Sequence, residues 1–150
     1  MSKRSTSRRI NAPAAVVFDA VTNIEKFPEK SADIVSVEIL TEQKTGVGTR
    51  FRETRRMGKR EGTTELECTE YVENERVRFV TDQGGVIWDS VYTVAEDNDG
   101  TKLTLEMDAR PYKVMPRIVL PFIIGMISKA VEKDMDAVKD YCEGKSGGGW

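Results

Sequence analysis

The feature that most constrains this chain is its last third, Met115 to Gly144, which holds the one long helical pattern in the sequence. Apolar residues recur at Leu120, Ile124, Ile127, Val131, Met135, Val138 and Cys142, steps of three and four that keep one stripe on one face. Lys129, Glu132, Lys133, Asp136, Lys139, Asp140 and Glu143 lie opposite. The second half is therefore a surface helix laid on something apolar. In the first half, Ile118, Val119, Phe122, Ile123 and Met126 carry apolar surface almost all the way round, and such a helix has to be covered on every side. Pro121 lacks an N–H and clashes with the preceding turn, so either the continuous helix starts near it or the helix kinks there.

Everything before that segment reads mainly as strands. Ser5 to Ile10 alternates loosely, with Thr6, Arg8 and Ile10 on one side. Asn11-Ala12-Pro13 opens a short helix through about Thr22, and Ile24 to Phe27 reads as one further turn stopped by Pro28. From Ile34 the apolar period changes to two, with Val35, Val37 and Ile39 alternating against Ser36 and Glu38. Further strands follow at Thr49 to Met57, Thr63 to Tyr71, Glu75 to Thr81, Val86 to Val94 and Lys102 to Ala109. Turn signals at Gly58, Gly84-Gly85 and Asp97 to Gly100 separate them. Strands joined by tight turns make an antiparallel meander. Such a sheet hides a face only by curling, and only the terminal helix is long enough to fill the curl. The expected class is α+β: a seven-stranded curved antiparallel sheet gripping a long C-terminal helix, with two short helices after the first strand.

At 150 residues the chain is most simply one domain, residues 1–143, with a flexible Gly-rich tail at 144–150. Its 39% hydrophobic and 32% charged residues are the balance of a globular protein. A net charge of −2 argues against nucleic acid as the main partner. The basic N-terminus has no apolar stretch after it, so it is not a secretory signal. The near-apolar run Ile118 to Ile127 is too short to span a bilayer. Cys68 and Cys142 fit reduced thiols, and a cytoplasmic location is expected. There is no histidine, which removes the commonest general base, the Ser-His and Cys-His pairs and the usual zinc ligand. No cofactor or metal is expected.

Six stretches taken in order resemble one superfamily. They are IxAPxxxVFDxVTNIEKFPE (Ile10 to Glu29), IVSVEIL (Ile34 to Leu40), GVGTRFRETR (Gly46 to Arg55), ECTEYVENERVRF (Glu67 to Phe79), DGTKLTLEM (Asp99 to Met107) and the closing KAVEKDMDAVKDYCEG. The chain is similar, over about residues 5 to 143, to the START-like helix-grip proteins, specifically the SRPBCC-type polyketide cyclase/dehydrase and lipid-transport group. What the resemblance implies is an elongated cavity between sheet and long helix that holds apolar or polyaromatic ligands. It implies no invariant catalytic set, so it speaks for a pocket more than for a reaction.

Alternation assigns the inward face where no bulge shifts the register. Stepping from Val94 puts Tyr92, Ser90 and Trp88 inside; stepping from Leu105 adds Leu103, Met107 and Ala109. Val77, Phe79, Thr81, Leu66 and Cys68 join them. Trp88 and Tyr92 are large surfaces with one polar atom each, which suits a small-molecule pocket, or else a core whose polar atoms bond backbone. If Phe51 faces in, so do Glu53, Arg55 and Met57. A buried carboxylate beside an arginine orients a ligand hydroxyl or serves as a base; the plainer reading has Arg55 at the rim and Glu53 paired across strands. Arg8 is a partner for Glu53, an oxyanion clamp or an exposed arm, while Glu70 and Asp89 are expected on the surface. The basic run Arg50 to Arg60 falls mostly on the outer face and a hairpin tip, near neutralising Glu61, Glu65 and Glu67.

The leading expectation is a protein that binds or transports a hydrophobic small molecule such as a lipid, quinone or polyketide-like aromatic. Glu53, Met57, Phe79, Trp88, Ser90, Tyr92, Met107, Phe122 and Met126 are the candidate contacts, the last two at the cavity mouth. The alternative is a polyketide cyclase/dehydratase-type enzyme using Glu53 or Tyr92 for proton transfer. Expected partners are that ligand, no nucleic acid, at most transient membrane contact, and a monomer or homodimer. An interaction module using the outer sheet face would need an apolar patch that the alternation does not show.

Overall fold

The computed structural model describes residues 2–144, apart from the side chains of Ser2 and Met57; the expected tail after Gly144 lies outside the described residues. The elements are β1 (Ser2–Ile10), α1 (Ala14–Thr22), a 3-10 turn (Ile24–Lys26), α2 (Phe27–Lys30), β2 (Ile34–Ile39), β3 (Arg50–Met57), β4 (Arg60–Val72), β5 (Arg76–Gln83), β6 (Val86–Asp97), β7 (Gly100–Pro111) and α3 (Val114–Cys142). The strands form one antiparallel sheet in the order β1-β7-β6-β5-β4-β3-β2, with α3 as its cover. This is the helix-grip arrangement expected from the switch between the two apolar periods.

Turn chemistry sets the meander. Asn98-Asp99 joins the paired residues Asp97 and Gly100, and both turn residues take positive φ, 43° and 66°. Two positive φ values match the twist of the flanking strands. Gly85, at φ 82°, closes the β5–β6 turn, and its carbonyl accepts the Tyr112 N–H at 2.9 Å, which ties the entry of α3 to the sheet. A Cβ there would lie 2.8 Å from the Lys113 side chain, so this position takes only glycine comfortably.

Bulges change the inward face in two places. A register shift between Ile34 and Ser36 turns Ile34 into the core and leaves Val35 exposed, against the simple alternation expected for β2. A second shift, between Cys68 and Glu70, brings both Cys68 and Tyr71 inward. Pro28 sits in the first turn of α2 and starts a helical turn instead of ending one, because that turn has no use for its missing N–H.

The main core joins Val17, Phe18, Val21 and Ile24 to Phe51, Val77, Phe79, Val94 and Leu103 of the sheet and to Met135 and Val138 of α3. A smaller cluster, Val86, Ala109 and Leu120 with Trp88, Ile123, Ile124 and Ile127, lies under the first half of α3. Both cysteines are free.

α3 runs from Val114 through Pro121, so of the two alternatives a helix that starts near that residue is excluded. As one helix it is long and apolar enough to cross a bilayer by length and composition alone, with a mean hydropathy of 1.7 over 18 residues, although the near-apolar run within it is shorter. In this fold the helix covers the sheet instead, burying Leu120, Met135 and Val138. The expectation that its first half is covered on every side is also overturned. Phe122 is 83% exposed and Met126 72% exposed, with Met115, Ile118 and Val119 exposed beside them. Among the described residues, only the sheet-facing side of this half has anything to pack against.

Candidate functional site

A cavity of about 710 Å³ lies between the sheet and α3, within the range of small-molecule sites. Its lining takes residues from both core clusters, so it separates the densely packed end of the domain from the first half of α3.

The inner sheet face builds most of the wall through cross-strand rows. Phe79 pairs with Ser90 and Ser90 with Met107; Thr81 pairs with Trp88 and Trp88 with Ala109; Val77 pairs with Tyr92 and Tyr92 with Leu105. Side chains on successive strands at paired positions share a face, so one row brings the next with it. Phe79, Trp88, Ser90, Tyr92 and Met107 all line the cavity, as does Glu53. Neither the Ser90 nor the Tyr92 hydroxyl has a hydrogen-bond partner among the described residues, whereas core side chains normally satisfy such groups. Met57 stands in step with Glu53 along β3, but its side chain lies outside the described residues. Phe122 and Met126 do not line the cavity; they project from the opposite side of α3, a correction that follows from the turn of the helix placing them away from Leu120 and Ile127.

One end of the cavity is closed by three aromatic rings set edge to face: Phe27, Phe51 and Phe79, with centroid separations from 5.5 to 6.4 Å. Beside them is a charged group. Arg55 donates from Nη2 to Glu53 Oε1 at 3.1 Å and from Nη1 to Asp134 Oδ1 at 3.0 Å. Burial opposes the guanidinium charge, but Asp134 and Glu53 outweigh it and hold Arg55 more firmly protonated than a free arginine. Arg55 thus lines the cavity between two carboxylates, with its side chain still 30% exposed. The Tyr92 hydroxyl is raised well above the ordinary tyrosine value, first by burial and then by the charges of Asp134 and Glu53. It remains a hydrogen-bond donor throughout the neutral range.

Two members of this group escaped the sequence reading. Asp134 stands on α3 between Val131 and Val138, at steps of three and four along the apolar stripe, so a carboxylate on the buried face was the available signal. Lys30, the last residue of α2, is only 8% exposed and lines the cavity with its ammonium 4.1 Å from the centre of the Phe27 ring. Its spacing of three from Phe27 within a helical turn was the corresponding signal, hidden because that turn was expected to end at Pro28.

Other charges fall outside the cavity. Arg8 spans to α3, with Nε 2.7 Å from Asp136 Oδ1 and Nη2 2.5 Å from Glu132 Oε1, so it is neither a partner of Glu53 nor an oxyanion clamp. Asp89, expected on the surface, is buried on the outer sheet face under Arg78 and Arg110; those two hydrogen bonds lower its carboxyl below the usual range, Arg78 first and against burial. Arg52 bonds Glu38 and Glu65, each at 3.0 Å, on the outer strand face.

The comparisons agree with this architecture. The family profile described as polyketide cyclase / dehydrase and lipid transport matches residues 1–143. No curated protein matches the sequence significantly. Among solved structures, the chain is similar to TTHA0849 from Thermus thermophilus, at 16% identity and TM-score 0.76, covering 93% of this chain and 95% of that one. It is also similar to a START superfamily protein from Mycobacterium smegmatis, at 15% identity and TM-score 0.77, covering 95% and 97%. The di-domain ARO/CYC protein BexL aligns at 18% identity and TM-score 0.78, over 95% of this chain and 50% of its own length. At these identities the structural matches establish the fold, and the profile establishes the lineage: the chain belongs to the polyketide cyclase/dehydrase and lipid-transport family.

Proposed function

We propose that this protein binds and carries a hydrophobic small molecule, of the lipid, quinone or polyketide-like aromatic kind, in the cavity beneath α3. The observation that carries this reading is a cavity of about 710 Å³ whose wall is mostly apolar and whose polar groups, Ser90 and Tyr92 among them, have hydroxyls left over for a ligand. Native mass spectrometry of protein purified from its own host is expected to show a retained small molecule. Replacing Trp88 by Ala is expected to weaken its binding about tenfold, the usual effect of removing a central aromatic contact. Unchanged affinity would take Trp88 out of the site.

The cyclase/dehydratase reading has one observation in its favour, that Glu53 and Tyr92 face the same cavity. It is the weaker of the two because Glu53 is engaged by Arg55 and Tyr92 keeps its proton. Turnover of an aromatic polyketide analogue, lost in Tyr92→Phe with binding retained, would reverse that order.

The exposed half of α3 fits transient contact with an anionic membrane during ligand exchange. Met115 and Val119 line the cavity and are also exposed, so the cavity wall is continuous with the outer patch of Ile118, Phe122 and Met126. Between Val114 and Val131 the charges are Arg117 and Lys129, with no acid. Two copies docked through this face would meet like charge with like charge, whereas acidic headgroups complement it. Sedimentation with phosphatidylglycerol vesicles is expected for the native chain and to be lost in the double variant Phe122→Asp, Met126→Asp. Equal binding by both, or a dimer that the variant dissociates, would overturn the membrane assignment. A cytoplasmic location belongs with this proposal.

A further inference from the structure

We infer that Lys30 is an anchor for an acidic group on the ligand, so that the cavity takes an amphipathic organic acid whose anionic end sits at the aromatic-closed end and whose apolar body extends toward Trp88. The inference rests on the ligand-cavity reading above and adds the chemical class.

Lysine normally extends its long stem until the ammonium reaches water. Lys30 does not: it is more than nine-tenths buried, its ammonium lies over the Phe27 ring, and it lines the cavity. Its ammonium has no hydrogen-bond acceptor and no ion pair among the described residues; it lies 4.1 Å from the centre of the Phe27 ring. A buried cation without a bonded acceptor is unfavourable, and structures keep such a group where something else completes it. The nearby carboxylates do not do so. Glu53 and Asp134 both direct oxygens to Arg55 and reach Lys30 only through their longer-range field. Arg55 is therefore shared between two anions, and Lys30 is the cation still able to take one. The neutral donors Ser90 and Tyr92 line the same cavity, ready to hydrogen-bond the ligand's remaining polar atoms.

The groups whose charge Lys30 feels are Asp134 and Cys142 of α3 and Glu53 and Arg55 of β3, and Tyr92 of β6 lines the same cavity. Burial pushes the Lys30 ammonium down to about 8, with Asp134 and Glu53 pulling the other way. Burial raises the Cys142 thiol to about 11 and raises Tyr92 further, so neither titrates between neutrality and the Lys30 midpoint. An anion is held only by the protonated amine. Affinity for an anion is thus full below the Lys30 midpoint and is lost as the pH rises through it.

The test uses two fluorescent molecules with one skeleton, 8-anilinonaphthalene-1-sulfonate and N-phenyl-1-naphthylamine, which differ by the sulfonate. The native chain is expected to bind both competitively at one site and the sulfonate about tenfold or more tightly at pH 7. Lys30→Met is expected to weaken the sulfonate about tenfold or more and to leave the neutral amine within about twofold, with Lys30→Arg restoring part of the difference. In the native chain the sulfonate's affinity is expected to be flat up to about pH 8 and then to fall by up to about tenfold per pH unit, the neutral compound's remaining flat. Should Lys30→Met fail to fold, the native ratio and pH profile decide the matter. A native ratio near one, a sulfonate affinity flat to pH 10, or equal weakening of both compounds by Lys30→Met overturns the anchor while leaving the cavity reading intact. Binding of neither compound overturns the cavity reading itself, and the anchor with it.

Discussion

Replacing Arg55 by methionine is expected to destabilise the fold by about 3 kcal/mol, because it strands two carboxylates in the cavity wall. Glu53 is 14% and Asp134 26% exposed, and Arg55 is the residue that bonds both. The loss comes less from the two hydrogen bonds than from leaving Glu53 and Asp134 facing each other without a counter-charge. Urea unfolding of three proteins separates these contributions. The native chain and Arg55→Met should differ by the full amount, and a triple variant that adds Glu53→Gln and Asp134→Asn should recover most of it. If Arg55→Met alone unfolds within about 0.5 kcal/mol of the native chain, the charges are solvated well enough to be ordinary surface pairs and the picture of a buried triad is wrong.

The largest single loss is expected for Phe51→Ala, at about 3–5 kcal/mol. Phe51 is buried to within 1% and meets Phe79 at 5.5 Å and Phe27 at 5.9 Å, so no neighbouring ring can close the gap without giving up its own contact. The same change should deepen the cavity, since Phe51 belongs to its lining. Two readouts are needed: a lower urea midpoint with an unaltered slope, and binding of a bulkier naphthyl ligand that the native cavity excludes. A loss under about 1 kcal/mol would mean that the closed end relaxes freely and does not bound the ligand.

The expectations that held are those that local periodicity controls. Strands β5, β6 and β7 alternate without interruption, and their inward residues, from Val77 and Phe79 to Trp88, Tyr92, Leu105 and Met107, stand where stepping by two puts them. The failures occurred where one residue changes parity or where a neighbour far along the chain decides an environment. The β2 bulge exchanges Ile34 for Val35, an insertion that leaves no compositional trace. Asp89 sits on the outward parity as expected, yet Arg78 and Arg110 from the adjoining strands cover it. Phe122 and Met126 have the chemistry of buried residues and, among the described residues, no element that buries them.

The long helix and the charged end of the cavity divide the two kinds of information most clearly. Its stripe of Leu120, Ile127, Val131, Met135 and Val138, set after a run of period-two strands, by itself determined that a curved sheet grips a terminal helix, because a repeat of apolar spacing is a property of neighbours in the chain. Whether Asp134 on that stripe is a flaw or a function depended on Arg55, 79 residues earlier, arriving 3.0 Å away. Whether Lys30 reaches water depended on the same convergence. Charge burial is set by what lies opposite in space, and only the tertiary structure supplies that opposite wall.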